Sequence, residues 1–264
     1  SAADLILTDP VGLSEMTIAE AAQMCNVSQP TFVRISRRLG FEGFAQLKAA
    51  LRQVKTDQNA ERLPSDLYQH MSASDDPYEI ASQIVRASIQ SMEDLMCVLD
   101  REQFNGAVNA LLSAHRVGFY GVGDAAIVAE SAYHKFSRMG TLCTSSNDPD
   151  IQLIQASQLQ KGDACVLISH SGRSRTTVNT ARRACEMGAT VISITNYPYS
   201  QLARLSDCVL TTASFMEHSG EVITKRISEL VLVESLFISV MLRGGGAYQT
   251  ALARSNEALV ENKL

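Results

Sequence analysis

The chain has 264 residues, 45% of them hydrophobic and 19% charged, with a formal net charge of −5. That length accommodates two domains, and the composition is that of an ordinary globular protein, which excludes a disordered or fibrous chain. No apolar run reaches the roughly 20 residues that span a bilayer and no signal peptide is read, so a cytoplasmic protein with no membrane partner is expected. The cysteines Cys25, Cys97, Cys143, Cys165, Cys185 and Cys208 lie far apart without a CxxC pair. The histidines His70, His115, His134, His170 and His218 show neither HxxxH nor HExxH spacing. Reduced core cysteines and no metal site are the expectation.

The charge is polarised. Residues 1–27 carry Asp4, Asp9, Glu15 and Glu20 without Lys or Arg. Residues 28–55 carry Arg34, Arg37, Arg38, Lys48, Arg52 and Lys55 against Glu42 alone. A short basic block lets an acidic protein bind nucleic acid, although a solvated helix face is the commoner use of such a row.

The first 56 residues read as all helix. Ala2–Leu7 is apolar from its start, as if the chain began inside a helix. Thr17 and Glu20 fit a capping box, and the helix it opens ends near Met24–Cys25. Asn26 suits a left-handed turn, with Val27 plugging the joint. Ser28 caps a second helix through Phe32, Val33, Ile35 and Leu39 that stops at Gly40, and Pro30 in its first turn loses no hydrogen bond. Two short helices joined by a tight turn, the second bearing arginines, describe a helix-turn-helix. Within it Ser28, Gln29, Thr31 and Arg34 sit at the N-terminal half of the recognition helix, where side chains meet base edges, while Arg37 and Arg38 suit phosphates. Phe32, Ile35 and Leu39 are core.

Residues 57–77, rich in Ser, Asp and Pro, read as a linker. Residues 78–264 form the second domain. Helices over 78–99 and 102–114 precede an alternation of strands (117–120, 141–144, 165–168, 191–195, 208–211) with helices (125–139, 151–158, 175–187). Such alternation predicts an α/β domain with a parallel five-stranded sheet flanked by helices, whose ligands bind at the carboxyl ends of the strands. An apolar helix over 224–242 is expected in the core or at a subunit interface.

Two loops in this domain carry chemistry. The strand ending at Ile168 runs into Ser169, His170, Ser171, Gly172, Arg173 and Ser174, and a helix follows at once. Free backbone N–H groups and the dipole at a helix N-terminus favour an anion, and three hydroxyls add donors. The plain alternative is that Ser171 or Ser174 only caps the helix. The second loop, Gly121-Val122-Gly123, follows the first strand and opens another helix. It fits a loose GxGxxA dinucleotide fingerprint, but the second strand ends in Thr144, Ser145 and Ser146 rather than an acid for the ribose. No cofactor is therefore expected.

Together these loops resemble those of a SIS domain, the phosphosugar-binding module named for sugar isomerases. Its marks are Gly121-Val122-Gly123, the Ser-x-Ser-Gly-x-Ser pattern of Ser169, Ser171, Gly172 and Ser174, the Gly188-Ala189 pair, and the Thr195-Asn196 strand end. The resemblance covers residues 100–245. The N-terminal run Thr17-Ile18-Ala19-Glu20, Val27-Ser28, Thr31, Val33-Arg34 and Arg38-Leu39-Gly40-Phe41, with Gly43-Phe44, is similar to the DNA-binding domain of RpiR-type bacterial regulators. Three positions depart from the usual pattern. Ala125 replaces a serine of the first loop, Ala21 a leucine, and Asn26 a glycine.

The resemblance implies a DNA-binding regulator, commonly a repressor, of sugar catabolism genes. Its partners would be double-stranded operator DNA and a phosphorylated sugar or sugar-acid effector, in a homodimer or homotetramer. Ser169, Ser171 and Ser174 would take the phosphate, Gly121 and Gly123 would let the ligand approach the backbone, and His170 and Arg173 would flank it. The rival reading is a phosphosugar aldose–ketose isomerase, not a regulator. It needs a base over C1 and C2, for which Glu229, near Lys225 and Arg226 and downstream of His218 and Glu221, is the candidate; in the regulator reading Glu229 and Gly172 are counted with the ligand-binding residues.

Overall fold

The computed structural model describes residues 13, 16–25, 27–38, 41–48, 51, 76–212, 221–260 and 262, with side chains left out at 38 and 221–225. Asn26, Leu39, Gly40, His218, most of the linker and the side chains of Arg38, Glu221 and Lys225 therefore lie outside the description. The chain divides into two compact units, residues 1–68 and 69–264.

In the first unit, α1 (Ile18–Met24) starts with the expected capping box. Thr17 Oγ1 accepts from Glu20 N, and the Glu20 carboxylate accepts from Thr17 N at 2.6 Å. These reciprocal bonds satisfy donors that a helix start leaves open. The carboxylate titrates below its ordinary range because the Thr17 backbone and hydroxyl both donate to it. α2 (Gln29–Arg38) begins where Ser28 Oγ accepts from Thr31 N at 3.4 Å. Leu13, Ala21, Ala22, Phe32, Phe44, Leu47 and Leu51 make a small core, with Val27 and Ile35 packed against it. The Phe32 and Phe44 rings meet edge to face at 5.3 Å, a geometry that favours aromatic pairs beyond their area.

In the second unit, α3 (Pro77–Val98) and α4 (Arg101–Ser113) precede the sheet, capped by Asp76 and Asp100. Then follow β1 (Val117–Gly121), α5 (Asp124–Arg138), β2 (Cys143–Ser146), α6 (Pro149–Ser157), β3 (Ala164–Ile168), α7 (Arg175–Glu186), β4 (Thr190–Thr195), a 3₁₀ turn (Ala203–Leu205) and β5 (Cys208–Thr211). α8 (Glu221–Arg243) and α9 (Gly246–Val260) complete the described elements. All strands are parallel, in the order β2-β1-β3-β4-β5.

The five strands fall where the sequence places them, with two differences at the margins. β2 begins two residues later than expected, because its polar end, Ser145 and Ser146, is what pairs with Phe119 and Tyr120. α9 was not anticipated. It follows the Gly244–Gly246 break and is held through Ser255 and Asn256, which bond the backbone and side chain of Arg138.

Strand residues alternate between two cores, as a sheet covered on both faces requires. Val117, Phe119, Val166, Ile168, Ile192 and Ile194 face a core shared with α4, α5 and α8. Tyr120, Cys165, Leu167 and Val191 face α6 and α7. α8 contributes Leu232, Val233, Leu236, Phe237 and Val240 as buried residues and leaves Val231, Ile238 and Leu242 exposed. Each fully buried aliphatic or aromatic side chain contributes about 1.5–3 kcal/mol. One buried charge is tied in at the amino edge of the sheet, where Asp163 accepts from Arg116 at 2.7 Å and from Gln160 N at 3.0 Å. Among the described residues no single helix is long and apolar enough to cross a membrane.

Candidate functional site

The strand order fixes where a ligand would sit. The chain moves from β1 to β2 on one side, then crosses to β3 on the other side of β1, so the connections diverge between β1 and β3. Such a switch point leaves a crevice beyond the carboxyl ends of the strands. Gly121, the last residue of β1, pairs with Ile168, the last residue of β3. The two loops singled out in the sequence therefore start side by side, at the switch point.

The serine loop is held down by backbone bonds. Ser169 N donates to Ile194 O at 3.0 Å, Gly172 N to Ser169 O at 3.0 Å, and Leu202 N to Gly172 O at 3.0 Å. Asn196 N and Thr195 Oγ1 both donate to His170 O, at 3.0 and 3.1 Å. Gly172 has a φ of +60°, and a Cβ there would overlap the Ser200 side chain and approach Thr195 Oγ1 to 3.0 Å. Only glycine fits this position, on grounds of both conformation and space.

The hydroxyls sit differently from one another. Ser169 is buried, Ser174 half-buried and Ser171 exposed, where its Oγ accepts from Arg173 N at 3.2 Å. Ser174 occupies the N-cap position of α7, yet its side chain makes no capping hydrogen bond. The plain capping account of Ser174 is thereby removed. The first turn of α7 carries Arg175 and no acid, so no carboxylate of that turn offsets the positive end of the helix dipole. Arg173 is exposed beside the loop, and the His170 ring stands edge-on to Tyr197, centroids 5.8 Å apart.

The glycines of the first loop have local reasons. A Cβ on Gly121 would lie 2.6 Å from Ala125 O, so its small size lets the first turn of α5 fold back onto β1. Gly123, the N-cap of α5, has a φ of +58° and no side-chain cap bond. Ala125, where the resemblance leads one to expect a serine, is buried.

Sequence reasoning missed two supports. Gln152 on α6 is fully buried, and its amide donates to Gly121 O at 2.7 Å and Ser146 O at 2.8 Å, strapping the ends of β1 and β2 together. Ser200 is buried under Gly172 and accepts from Ala203 N at 3.3 Å. Neither lies in a motif. Each is defined by contact with a residue distant in the chain.

Glu229 lies on α8, fully buried and ion-paired with Arg226 one turn earlier. Among the described residues no three His, Cys, Asp or Glu side chains gather as a metal site. Burial pushes the Cys143 thiol up to about 12 and raises those of Cys165 and Cys208 as well, so these three pack as thiols rather than thiolates, whereas Cys97 and Cys185 are exposed and not the core residues the sequence suggests.

In the first unit, α2 presents its N-terminal half to solvent. Ser28, Gln29 and Arg34 are exposed and Thr31 half-buried. Thr31 Oγ1 lies 2.8 Å from Ser28 Oγ and accepts from Arg34 Nη2 at 3.3 Å, so three of the six sequence-chosen residues form one hydrogen-bonded row. Arg37 is also exposed but spends its Nε on Glu42 O at 3.2 Å, closing the loop after α2. Phe32 and Ser36 are buried on the opposite face.

Comparisons with known proteins place a family on each part of the chain. Residues 1–58 match the helix-turn-helix domain of the rpiR family, and residues 110–239 match the SIS domain. The chain is 31% identical to an HTH-type transcriptional regulator of Caldanaerobacter subterraneus, covering 99% of this chain and 92% of that one. It is 33% identical to the HTH-type transcriptional regulator HexR of Pseudomonas aeruginosa, over 99% and 90% of the two chains. In fold it is similar to the Vibrio vulnificus NanR protein, whose structure was solved complexed with ManNAc-6P. The TM-score is 0.67 at 24% identity, over 98% of this chain and 91% of that one.

Proposed function

Because the chain belongs to the RpiR family of helix-turn-helix transcriptional regulators with a SIS domain, we propose that it represses sugar catabolism genes under the control of a phosphorylated sugar or sugar acid. In this reading residues 1–56 bind operator DNA, 57–77 link, and 78–264 hold the effector. The observation that carries the reading is the α7 N-terminus at the β1/β3 switch point, where the Ser174 hydroxyl makes no cap bond and the first turn holds no acid. The hydroxyls of Ser169, Ser171 and Ser174 and the N–H groups at the start of α7 take the phosphate. His170 and Arg173 meet the sugar end, and Gly121 and Gly123 leave room for it.

On DNA, Ser28, Gln29, Thr31 and Arg34 read bases, and Arg37 and Arg38 hold phosphates. A domain this small reads a two-fold site as part of a homodimer or homotetramer. The effector then shifts the balance between two arrangements of the paired heads by binding one better than the other. Sensing rather than turnover is favoured by the state of Glu229, whose carboxylate is buried and engaged by Arg226.

Fluorescence anisotropy on the DNA upstream of the protein's own gene tests this, with and without a panel of phosphorylated sugars and sugar acids that includes ManNAc-6P. Specific binding weakened by one compound is the expected result. Specific binding that no panel compound alters overturns the effector part. Absence of specific binding, together with aldose–ketose conversion that Glu229→Gln abolishes, replaces the regulator with an isomerase.

A further inference from the structure

α3 is amphipathic in an unusual sense, because both of its faces carry structure. Ser88, Ser91 and Leu95 are buried, and Ser91 Oγ lies 2.6 Å from Ser228 Oγ on α8. On the opposite side, Tyr78, Ser82, Val85, Ile89, Met92 and Met96 follow one another at intervals of four, three, four, three and four residues. That is the a/d spacing of a coiled-coil seam. Tyr78 is 77% exposed, Val85 57%, Ile89 48% and Met96 72%. At about 100° per residue these four lie roughly 120–160° around the helix from Ser91, so the stripe is turned away from α8. Four large apolar side chains in a straight row on one helix make the kind of contiguous patch that marks an interaction site, unlike apolar residues scattered singly.

We propose that this outward face of α3 is the seam through which a second copy of the chain pairs with the first, antiparallel. The inference deepens the oligomer reading above by naming its face. Two observations select a second copy in that orientation. First, the stripe is self-complementary about its middle. Antiparallel pairing about residue 87 sets Ile89 against Val85 of the partner, Met92 against Ser82 of the partner and Met96 against Tyr78 of the partner. Every stripe position is then used, with the isologous symmetry that two-fold dimers need.

Second, the charges fit only this orientation. A parallel pair joins each e residue to a g residue of the partner. Here the g residues are Ala81, Ser88 and Leu95, which are uncharged, and Ser88 and Leu95 are buried in the same unit. An antiparallel pair joins e to e, and that row is Glu79, Arg86 and Glu93, all exposed. Arg86 of one copy then meets Glu93 of the partner, twice by symmetry. The 22 residues of α3 extend about 33 Å.

Sedimentation velocity on the full chain tests the seam. Val85→Glu with Ile89→Glu alters only exposed positions. It should halve the mass of the wild-type assembly and raise its dissociation constant at least 100-fold, with the far-UV spectrum and thermal transition unchanged. A charge exchange tests the orientation independently of any loss of fold. Arg86→Glu alone and Glu93→Arg alone should each weaken self-association, and an equimolar mixture of the two should restore it, because each new like-charge pair becomes an opposite pair. A double glutamate variant of wild-type mass, or a mixture no tighter than its components, overturns the seam while leaving an oligomer in place. A wild-type chain that sediments as a monomer at tens of micromolar overturns the seam and the oligomer reading together.

Discussion

The two units place their chemistry at different depths of the structure. In the first, the row of Ser28, Thr31 and Arg34 proposed to meet DNA stands on the outer side of α2, while Phe32 and Ser36 on the inner side are buried. Function and fold use different side chains of one helix. In the second, the serine loop is woven into the sheet. Its backbone bonds reach β4 and the loop after it, and its glycine rests on Ser200. Function and fold there share the same atoms. Substitutions on α2 should therefore separate binding from stability, whereas substitutions in the serine loop should range from silent to ruinous within four residues.

The largest effect is expected at Gly172. A side chain there meets a left-handed backbone, at roughly 1–2 kcal/mol, and an overlap with Ser200, for which overpacking costs typically about 1–3 kcal/mol. Gly172→Ala should lower the stability of the second unit by about 2–5 kcal/mol and abolish effector binding, as read by thermal unfolding and calorimetry. If the variant melts like the wild type, the loop is looser than its hydrogen bonds imply and the contrast between the units fails. Ser200→Gly in the same chain should recover part of the loss by removing the overlapped side chain.

Next comes Arg34→Ala, the counterpart on the exposed helix. A residue reading a base edge contributes about 1–3 kcal/mol of discrimination, so operator affinity should fall roughly 10- to 100-fold and preference at one base pair should relax. Thermal unfolding should not change, since the side chain is exposed and its bond among the described residues is to Thr31. Unchanged operator preference in anisotropy titrations would remove Arg34 from the reading set.

Ser174→Ala separates the two accounts of a serine at a helix start within a single position. A true N-cap costs about 1 kcal/mol when replaced by alanine. Because the Ser174 hydroxyl makes no cap bond, stability should hold while effector affinity drops about tenfold, the worth of one charge-assisted hydrogen bond. The reverse pattern, lost stability with retained affinity, would return Ser174 to a structural role.

Much of this was legible before any coordinates. The apolar runs 117–120, 165–168 and 191–195 lie in the sheet centre, because a strand covered on both faces must be apolar throughout. The capping box of Thr17 and Glu20 is a local pattern, and it stands as read. What escaped was set by contacts between distant residues. Gln152 reads as one more polar residue on a helix until its amide is seen between Gly121 O and Ser146 O. β2 slid because its register follows β1 rather than its own apolar residues, and Leu142 ended up 66% exposed. α9 was hidden behind three glycines and buries only Ala251 among its residues. The serine loop was found by its hydroxyls, but the reason Gly172 must be glycine lies in Ser200, 28 positions later.

The smallest effect isolates local order in the first unit. Thr17→Ala removes one arm of the capping box and should cost about 1 kcal/mol in that unit's transition, with operator preference intact because Thr17 lies outside the reading row of α2. Its pH dependence gives a sharper signature. In the wild type, the Thr17 N–H and hydroxyl hold the folded-state Glu20 carboxylate below its ordinary range. A carboxylate depressed on folding contributes stability that is fully present above its unfolded value and is lost as pH falls through the folded one. Acidification below about pH 4.5 should therefore erode the wild-type capping contribution. Thr17→Ala, which keeps the Glu20 bond to the backbone N–H but loses the hydroxyl, should show a shallower acid dependence. If wild type and variant lose stability in parallel on acidification, the hydroxyl arm carries none of the depression and the α1 start is held by its backbone alone.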